Sequence, residues 1–176
     1  NITTVSMPAS IRNYIPNVKN ATITSGNAIL ASAFENCTTL LSVTLPNSLV
    51  SIGNKAFYGC SNLNSLNIPS NVTSIGANAF YNCTSISTIV LPDSIGSLDS
   101  TAFTGCSNLK EITLPATFIS LIPKANLQEI IITSGQSIPE RAFYNCSQLT
   151  KVVLPKSITD IGNNAFYGCT SLSYLE

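Results

Sequence analysis

The sequence contains no histidine, and charged residues make up only 9% of its 176 residues. Without histidine it cannot build a Ser-His-Asp triad or a Cys-His pair, and the scattered carboxylates match no metal or glycosidase spacing. Eight basic and eight acidic side chains balance, so no net charge attracts nucleic acid or an anionic membrane. No apolar run approaches the about 18 residues of a membrane-spanning helix. We therefore expect no catalytic, metal or cofactor site, no nucleic-acid partner and no membrane insertion.

What the sequence does contain is an internal repeat. An Ala-Phe pair occurs six times, and the first four pairs and the last two are each spaced by 23 residues. Burying the four or five large apolar side chains of one repeat contributes roughly 1.5–3 kcal/mol each, whereas ordering the repeat costs on the order of 35 kcal/mol. The repeats must therefore stack as a solenoid. The pairs begin at Ala33, Ala56, Ala79, Ala102, Ala142 and Ala165.

Each repeat starts with the pattern of a half-buried strand. In 109–115, Ile112 and Leu114 alternate with an outward Thr113, and proline then ends the strand because it has no N–H to donate. The apolar spacing of the return segment 72–80 favours a short helical or 3-10 turn. The repeats predict an α/β solenoid with one parallel sheet of about nine strands, roughly 40 Å long.

The residue before each cysteine is always asparagine or glycine, the residue types that most readily adopt positive φ. This pattern predicts a left-handed cap that closes each return segment. The predicted positive φ values are at Asn36, Gly59, Asn82, Gly105, Asn145 and Gly168.

The six cysteines have three possible roles. Cysteines of neighbouring repeats would lie within disulfide distance in a stack. Their side chains would point the same way, which the disulfide dihedral does not allow. Zinc needs four ligands that converge on one point. Buried thiols packed as small apolar groups fit a stack best. We expect such a thiol ladder in two parts, Cys37–Cys106 and Cys146–Cys169.

Two repeats are shorter, near 8–17 and 115–126. Each lacks the Ala-Phe…Cys half and passes straight to the next strand, after which both continue with Thr-Ser-Gly, at Thr24–Gly26 and Thr133–Gly135. We expect one solenoid over residues 1–176 with this higher-order repeat. Because the sequence starts and stops partway through a repeat and shows no signal peptide, we also expect it to be a fragment of a longer array.

The pattern Leu-x-x-Leu-x-Leu-Pro-x-x-Leu-x-x-Ile-Gly-x-x-Ala-Phe-x-x-Cys-x-x-Leu is nearly intact at Leu63–Ile86 and Leu149–Leu172. It resembles the BspA-like class of leucine-rich repeats over nearly the whole chain, with Leu98-Asp99 departing from Ile-Gly. The resemblance implies a right-handed curved leucine-rich-repeat solenoid. It also implies an extracellular or surface-attached protein, chiefly of host-associated bacteria and some protists, with adhesins among its members. It supplies neither a ligand nor a catalytic residue.

The outward strand positions form the face that we favour for a partner, because solenoids commonly bind through such an extended surface. Val90, Ile131 and Val153 place aliphatic side chains there, although singly exposed apolar residues are also normal. The candidate partner-binding residues are Ser65, Asn67, Thr88, Val90, Glu111, Thr113, Glu129, Ile131, Lys151 and Val153.

A second row is formed by Tyr58, Tyr81, Tyr144 and Tyr167, which follow the phenylalanine in four of six long repeats. Tyrosine is common at binding hot spots. It also covers seams between packed segments with its hydroxyl in water, and we favour this second role.

The sequence therefore predicts a non-catalytic, cell-surface or secreted scaffold that binds a host or neighbouring-cell protein. The alternative is a structural stalk that spaces another domain from the cell surface. A hydrolase whose site lies in flanking segments is a third possibility.

Overall fold

The computed structural model describes residues 4–8 and 17–176. Each turn of the chain around the solenoid is called a rung, and most rungs contribute two strands. Within the described residues the only helix is η1 (Ala116–Leu121), a six-residue 3-10 helix. The strands are β1 Thr4–Pro8, β2 Asn20–Ser25, β3 Ala28–Ile29, β4 Ser42–Thr44, β5 Ser51–Ile52, β6 Ser65–Leu66, β7 Ser74–Ile75, β8 Thr88–Val90, β9 Ser97–Leu98, β10 Glu111–Leu114, β11 Glu129–Ile132, β12 Ser137–Ile138, β13 Lys151–Val153, β14 Asp160–Ile161 and β15 Tyr174–Leu175.

Nine parallel strands lie side by side on what we call the strand face. They form two hydrogen-bonded sheets, β1-β2-β4-β6 and β8-β10-β11-β13-β15, rather than the one sheet predicted. The predicted alternation is present in β10, where Ile112 and Leu114 are buried and Glu111 is exposed. The strand face is therefore divided between β6 and β8.

The return segments differ in part from the helical or 3-10 turns that we predicted. Each long rung begins its return with a two-residue strand, and these strands pair in parallel as β3-β5-β7-β9 and β12-β14. The chain then continues in i→i+3 turns, as where Ala79 N–H donates to Gly76 O and Tyr81 N–H donates to Asn78 O. Ile52 pairs with Ile29 on one side and Ile75 on the other, so the backbone finds its partners in neighbouring rungs. The fold is a parallel β-solenoid with very little helix, consistent with the leucine-rich-repeat solenoid that the sequence predicts.

The turn after each two-residue strand contains the predicted left-handed caps. All six residues before cysteine have positive φ, from 56° at Asn82 to 80° at Gly105. The sequence analysis missed a second left-handed position four residues earlier, because serine, lysine and arginine give no signal for it. Its φ values lie between 53° and 58° at Ser32, Lys55, Asn78, Arg141 and Asn164.

Asparagine and glycine alternate at the caps for a packing reason. The Asn36 amide lies over the backbone of Gly59, where an added Cβ would come within 2.5 Å of Asn36 Oδ1. The same contact joins Asn82 to Gly105 and Asn145 to Gly168. Tolerance of positive φ thus explains why only asparagine or glycine occurs at the caps. Where the preceding cap is asparagine, its side-chain amide leaves no room for a Cβ, so the next cap is glycine.

This packing predicts a rescue between neighbouring caps. Gly105→Asn keeps a residue that tolerates positive φ but drives its Cβ into the Asn82 amide, so the free energy of unfolding should fall by about 1–2 kcal/mol. The double variant Asn82→Gly, Gly105→Asn should recover most of that loss in urea unfolding. Equal midpoints for the single and double variants would show that the alternation has another cause.

The interior is a column of stacked phenylalanines. The rings of Phe34, Phe57, Phe80 and Phe103 stack nearly parallel with centroids 5.1–5.3 Å apart, and Phe143 stacks on Phe166 at 5.4 Å. Offset stacking adds about 0.5–1.5 kcal/mol per pair to the burial of the rings. These aromatic stacks bind successive long rungs together.

The short rung near 115–126 interrupts this column. The helix η1 lies within the short rung. Phe143 follows the short rung, so no phenylalanine of a long rung stacks on that side of its ring. Lys124 Nζ lies 5.9 Å from the centroid of the Phe143 ring. Burial lowers the pKa of Lys124, because the ammonium loses solvation. The other predicted short rung, near 8–17, lies almost wholly outside the described residues.

The Thr-Ser-Gly segment after the short rung reaches across it. The Asp93 carboxylate accepts hydrogen bonds from Thr133 Oγ1 (2.5 Å) and Ser134 Oγ (3.0 Å), two rungs away in sequence. Gly135, at φ 128°, packs against Ala116, where an added Cβ would come within 2.5 Å of the Ala116 Cβ. The motif therefore connects the two long rungs on either side of the short one.

Candidate functional site

The candidate residues of the five-stranded sheet form two in-register rows. Glu111 pairs with Thr88 and Glu129, and Glu129 pairs with Lys151, which gives a charged row. In the other row, Thr113 lies between Val90 and Ile131, and Val153 follows. Strand pairing therefore brings eight of the ten candidate residues together on one surface.

The second row, Val90–Thr113–Ile131–Val153, is called the apolar row. Val90 and Ile131 are 46% and 38% exposed, and Val153 and Thr113 are half-buried. Ile131 and Val153 lie on adjacent strands about 4.8 Å apart, and Thr113 separates them from Val90, so the row is a largely apolar strip with one hydroxyl in it. A partner that covers this strip would remove apolar surface from water, which favours association.

The charged row is only partly neutralised. Lys151 Nζ forms an ion pair with Glu129 Oε2 at 3.3 Å and lies 6.0 Å from the Tyr174 ring centroid. Both side chains of the pair are about 40% exposed, so it contributes little to folding stability. Glu111 forms no ion pair with any described residue, which leaves an acidic group beside the apolar row.

The remaining two candidates, Ser65 and Asn67, lie across the division of the strand face. Both are exposed, Ser65 in β6 and Asn67 just after it. Asn67 and Val90 line the same cavity of about 540 Å³, together with Asp93 and the prolines that end their strands. The sequence analysis did not foresee this depression, because nothing in the repeat pattern marks the missing hydrogen bonds between β6 and β8.

The tyrosines form two separate stacks. Tyr58 stacks on Tyr81 at 4.9 Å, and Tyr144 stacks on Tyr167 at 5.2 Å. Lys55 lies over the first stack and Arg141 over the second, 5.6 and 5.4 Å from the nearest ring centroids. Each ring thus has one face against another tyrosine, while Tyr144 and Tyr167 remain 42% and 60% exposed, so the seam-covering role stays a prediction.

The six cysteines are reduced thiols, five buried and Cys169 half-buried. Cys60 donates to the carbonyl of Phe34 at 3.0 Å, and Cys83, Cys106 and Cys169 make the equivalent bond. Burial raises the pKa of Cys60 and of Cys106 to about 12, so both stay protonated at neutral pH. The thiols therefore act as packed, hydrogen-bonded groups, in the two-part ladder that the sequence predicts.

In 4–8 and 17–176, no group of three or more histidine, cysteine, aspartate or glutamate side chains is placed to hold a metal ion. No helix in the same residues is long and apolar enough to cross a bilayer.

Comparison with known proteins identifies the repeat. The profile of the BspA type leucine rich repeat region matches six copies, over residues 27–125 and 123–176. The chain belongs to the BspA-type leucine-rich-repeat family. Leucine-rich-repeat proteins of this kind are typically surface or binding proteins and generally non-enzymatic scaffolds, and their domains generally mediate protein–protein interactions.

A solved leucine-rich-repeat structure supports the fold of this BspA-type chain. A leucine-rich-repeat protein of T. pallidum aligns with a TM-score of 0.60 at 22% identity, over 98% of this chain and 78% of its own. One from Bacteroides ovatus aligns with a TM-score of 0.48 at 23% identity, over 97% of this chain and 65% of its own. A search of curated protein sequences gave no match. At these identities the likeness concerns the fold alone.

Proposed function

We propose that this chain is a non-catalytic, secreted or cell-surface scaffold whose strand face binds a protein of a host or neighbouring cell. The apolar row carries the proposal, because it places Val90, Ile131 and Val153 in register on one exposed surface. Family membership supports a binding role at the surface. The depression beside Val90 and Asn67 gives the same surface a concave element.

The chemistry of the two rows suggests what the partner presents. Apolar side chains of the partner would lie along the apolar row, and a lysine or arginine would pair with Glu111. Each contact would be weak because the surface is shallow and exposed. Affinity would therefore come from many contacts on a rigid sheet, multiplied by avidity where several copies act together.

The strand-face variant Val90→Asp, Ile131→Asp, Val153→Asp tests this proposal. We expect it to bind at least roughly tenfold more weakly than the unaltered protein, because three charges would have to be desolvated in the interface. The side chains point outward, so the far-UV circular dichroism spectrum should be unchanged. Binding is measured against a panel of matrix proteins and host cells at two salt concentrations.

The N-terminal sheet offers a matched control. Ser6, Thr22 and Thr44 pair in the same outward row of β1, β2 and β4, so changing all three to aspartate adds the same charge elsewhere on the face. The control variant should bind normally. Binding that survives in the strand-face variant would contradict the proposed site and direct attention to the tyrosine stacks.

A structural stalk is the second candidate function. The phenylalanine column and the cap contacts tie successive rungs into a rigid stack, which suits a spacer. A complete lack of saturable binding at micromolar concentrations would favour the stalk over the binding scaffold.

A further inference from the structure

The short rung leaves one edge of a hydrogen-bond ladder without its partner. In the turns of the long rungs, a peptide group points its N–H toward the next rung, as where Asn82 N–H donates to the Thr104 carbonyl at 2.9 Å. Gly105 holds the equivalent position one rung later, but the short rung lacks this turn. Within the described chain, Gly105 N–H and the amide of fully buried Phe103 donate to no acceptor. Gly105 is exposed whereas Phe103 is buried, so the Gly105 N–H is the donor that a partner can reach.

A cavity of about 280 Å³ lies at this interruption. One wall is the turn of the preceding long rung, with Ser100, Thr104 and Gly105, and the other is Ser120 followed by 121–123. The three hydroxyl groups of this lining form no hydrogen bond with any described residue. The cavity thus combines an amide donor and hydroxyl groups with an apolar wall of leucine, isoleucine and proline.

We propose that this cavity binds a short peptide segment of a partner protein. A backbone carbonyl of the peptide accepts the hydrogen bond from Gly105 N–H, as the carbonyl of a following rung does elsewhere in the ladder. The hydroxyls of Thr104 and Ser120 bond to the adjoining amide groups of the peptide. A small apolar side chain packs on Leu121 and Pro123. The site lies outside the strand face and does not depend on it.

Two observations favour a peptide over other occupants. In the four long-rung turns that another such turn follows, the partner of this amide is a peptide carbonyl, so the donor is already oriented for that geometry. The lining contains no charged side chain, so an anion would lose its hydration without gaining a counter-charge.

The probe is the acetylated and amidated pentapeptide with the sequence of residues 164–168, Asn-Ala-Phe-Tyr-Gly. Its Tyr-Gly peptide group is the one whose carbonyl accepts the equivalent hydrogen bond from Asn145 N–H. We expect saturable binding by calorimetry and a downfield shift of the Gly105 amide proton in a ¹H–¹⁵N spectrum. No shift of that amide at millimolar peptide would overturn the proposal, whatever other residues respond.

A matched pair of variants locates the site. Thr104→Tyr places at the cavity the residue that four other rungs carry there, and it should weaken binding by about tenfold, as loss of one interface anchor does. Glu35→Tyr makes the same change at the equivalent position of a distant rung and should leave binding unchanged. Equal affinity of both variants would place the peptide elsewhere and overturn the proposal. The strand-face aspartate variant should bind the peptide normally, which separates this site from the proposed function.

Discussion

Replacing Gly53 by alanine should lower the free energy of unfolding by about 3 kcal/mol, a large effect for one methyl group. An added Cβ would lie 2.7 Å from Ala31 N and 2.9 Å from Ile29 O, both backbone atoms of the preceding rung. Backbone atoms cannot rotate away as a side chain can, so the two rungs must separate. That separation would also stretch the hydrogen bond from Gly53 N–H to Ile29 O, now 2.8 Å. Urea unfolding monitored by circular dichroism measures the loss.

Gly96→Ala is the control for this prediction. An added Cβ there meets only Thr73 O at 3.8 Å, an ordinary contact, so stability should stay level or rise slightly as the unfolded chain loses freedom. Similar losses in the two variants would mean that glycine matters here for backbone freedom and not for the approach of neighbouring rungs.

The same contact explains a sequence pattern that periodicity alone does not. Gly53, Gly76 and Gly162 each follow a long rung, whose backbone lies where a Cβ would be. Leu30 and Pro139 hold the equivalent position after the two short rungs. The residue type at this position thus reports the length of the preceding rung. Asp99 is the exception, because it follows a long rung but is not a glycine. Its carboxylate accepts hydrogen bonds from the amide and hydroxyl of Thr101.

The strands and caps could be predicted because each has a local chemical cause. Alternation over four or more residues, as at Glu111–Leu114, marks one buried face, and asparagine or glycine marks a left-handed residue. The two-residue strands, such as Ser74–Ile75, could not be recognised this way, since two residues define no period. Their partners lie 23 residues away, so only the stacking of whole rungs reveals them.

The strand-face residues could likewise be assigned from the sequence, because every strand repeats the same apolar alternation, which fixes its register even where rungs differ in length. The separation of β6 from β8 could not, because no residue type marks the hydrogen bonds that these two strands fail to make. At Gly105 the missing Ala-Phe…Cys half of the next repeat shows in the sequence, but the path of the chain that leaves a cavity there does not. The unpaired amide of Gly105 follows from the structure of the short rung around Ser120, whose η1 helix the sequence pattern does not specify.

Phe80→Ala should cause the largest loss of stability, about 3–5 kcal/mol. The ring is fully buried and stacks on Phe57 at 5.3 Å and on Phe103 at 5.2 Å, within 4° of parallel in both cases. Removing it creates a cavity in the middle of the column and breaks two stacking contacts at once. Phe57 and Phe103, in the rungs on either side, are then no longer connected through a stacked ring. The free energy of unfolding measured in urea should therefore show the full loss.

Tyr81→Ala tests whether the loss comes from the column rather than from aromatic residues in general. Tyr81 follows Phe80 in the same rung and stacks on Tyr58 at 4.9 Å, but it is only half-buried. Its removal should lower the free energy of unfolding by about 1 kcal/mol, the worth of one stacking pair with partial burial. A loss as large as that of Phe80→Ala would show that the return-segment seam, and not the phenylalanine column, holds the rungs together. Two separate unfolding transitions in Phe80→Ala alone would instead confirm that coupling between the two halves runs through this ring, because each rung contacts only its neighbours.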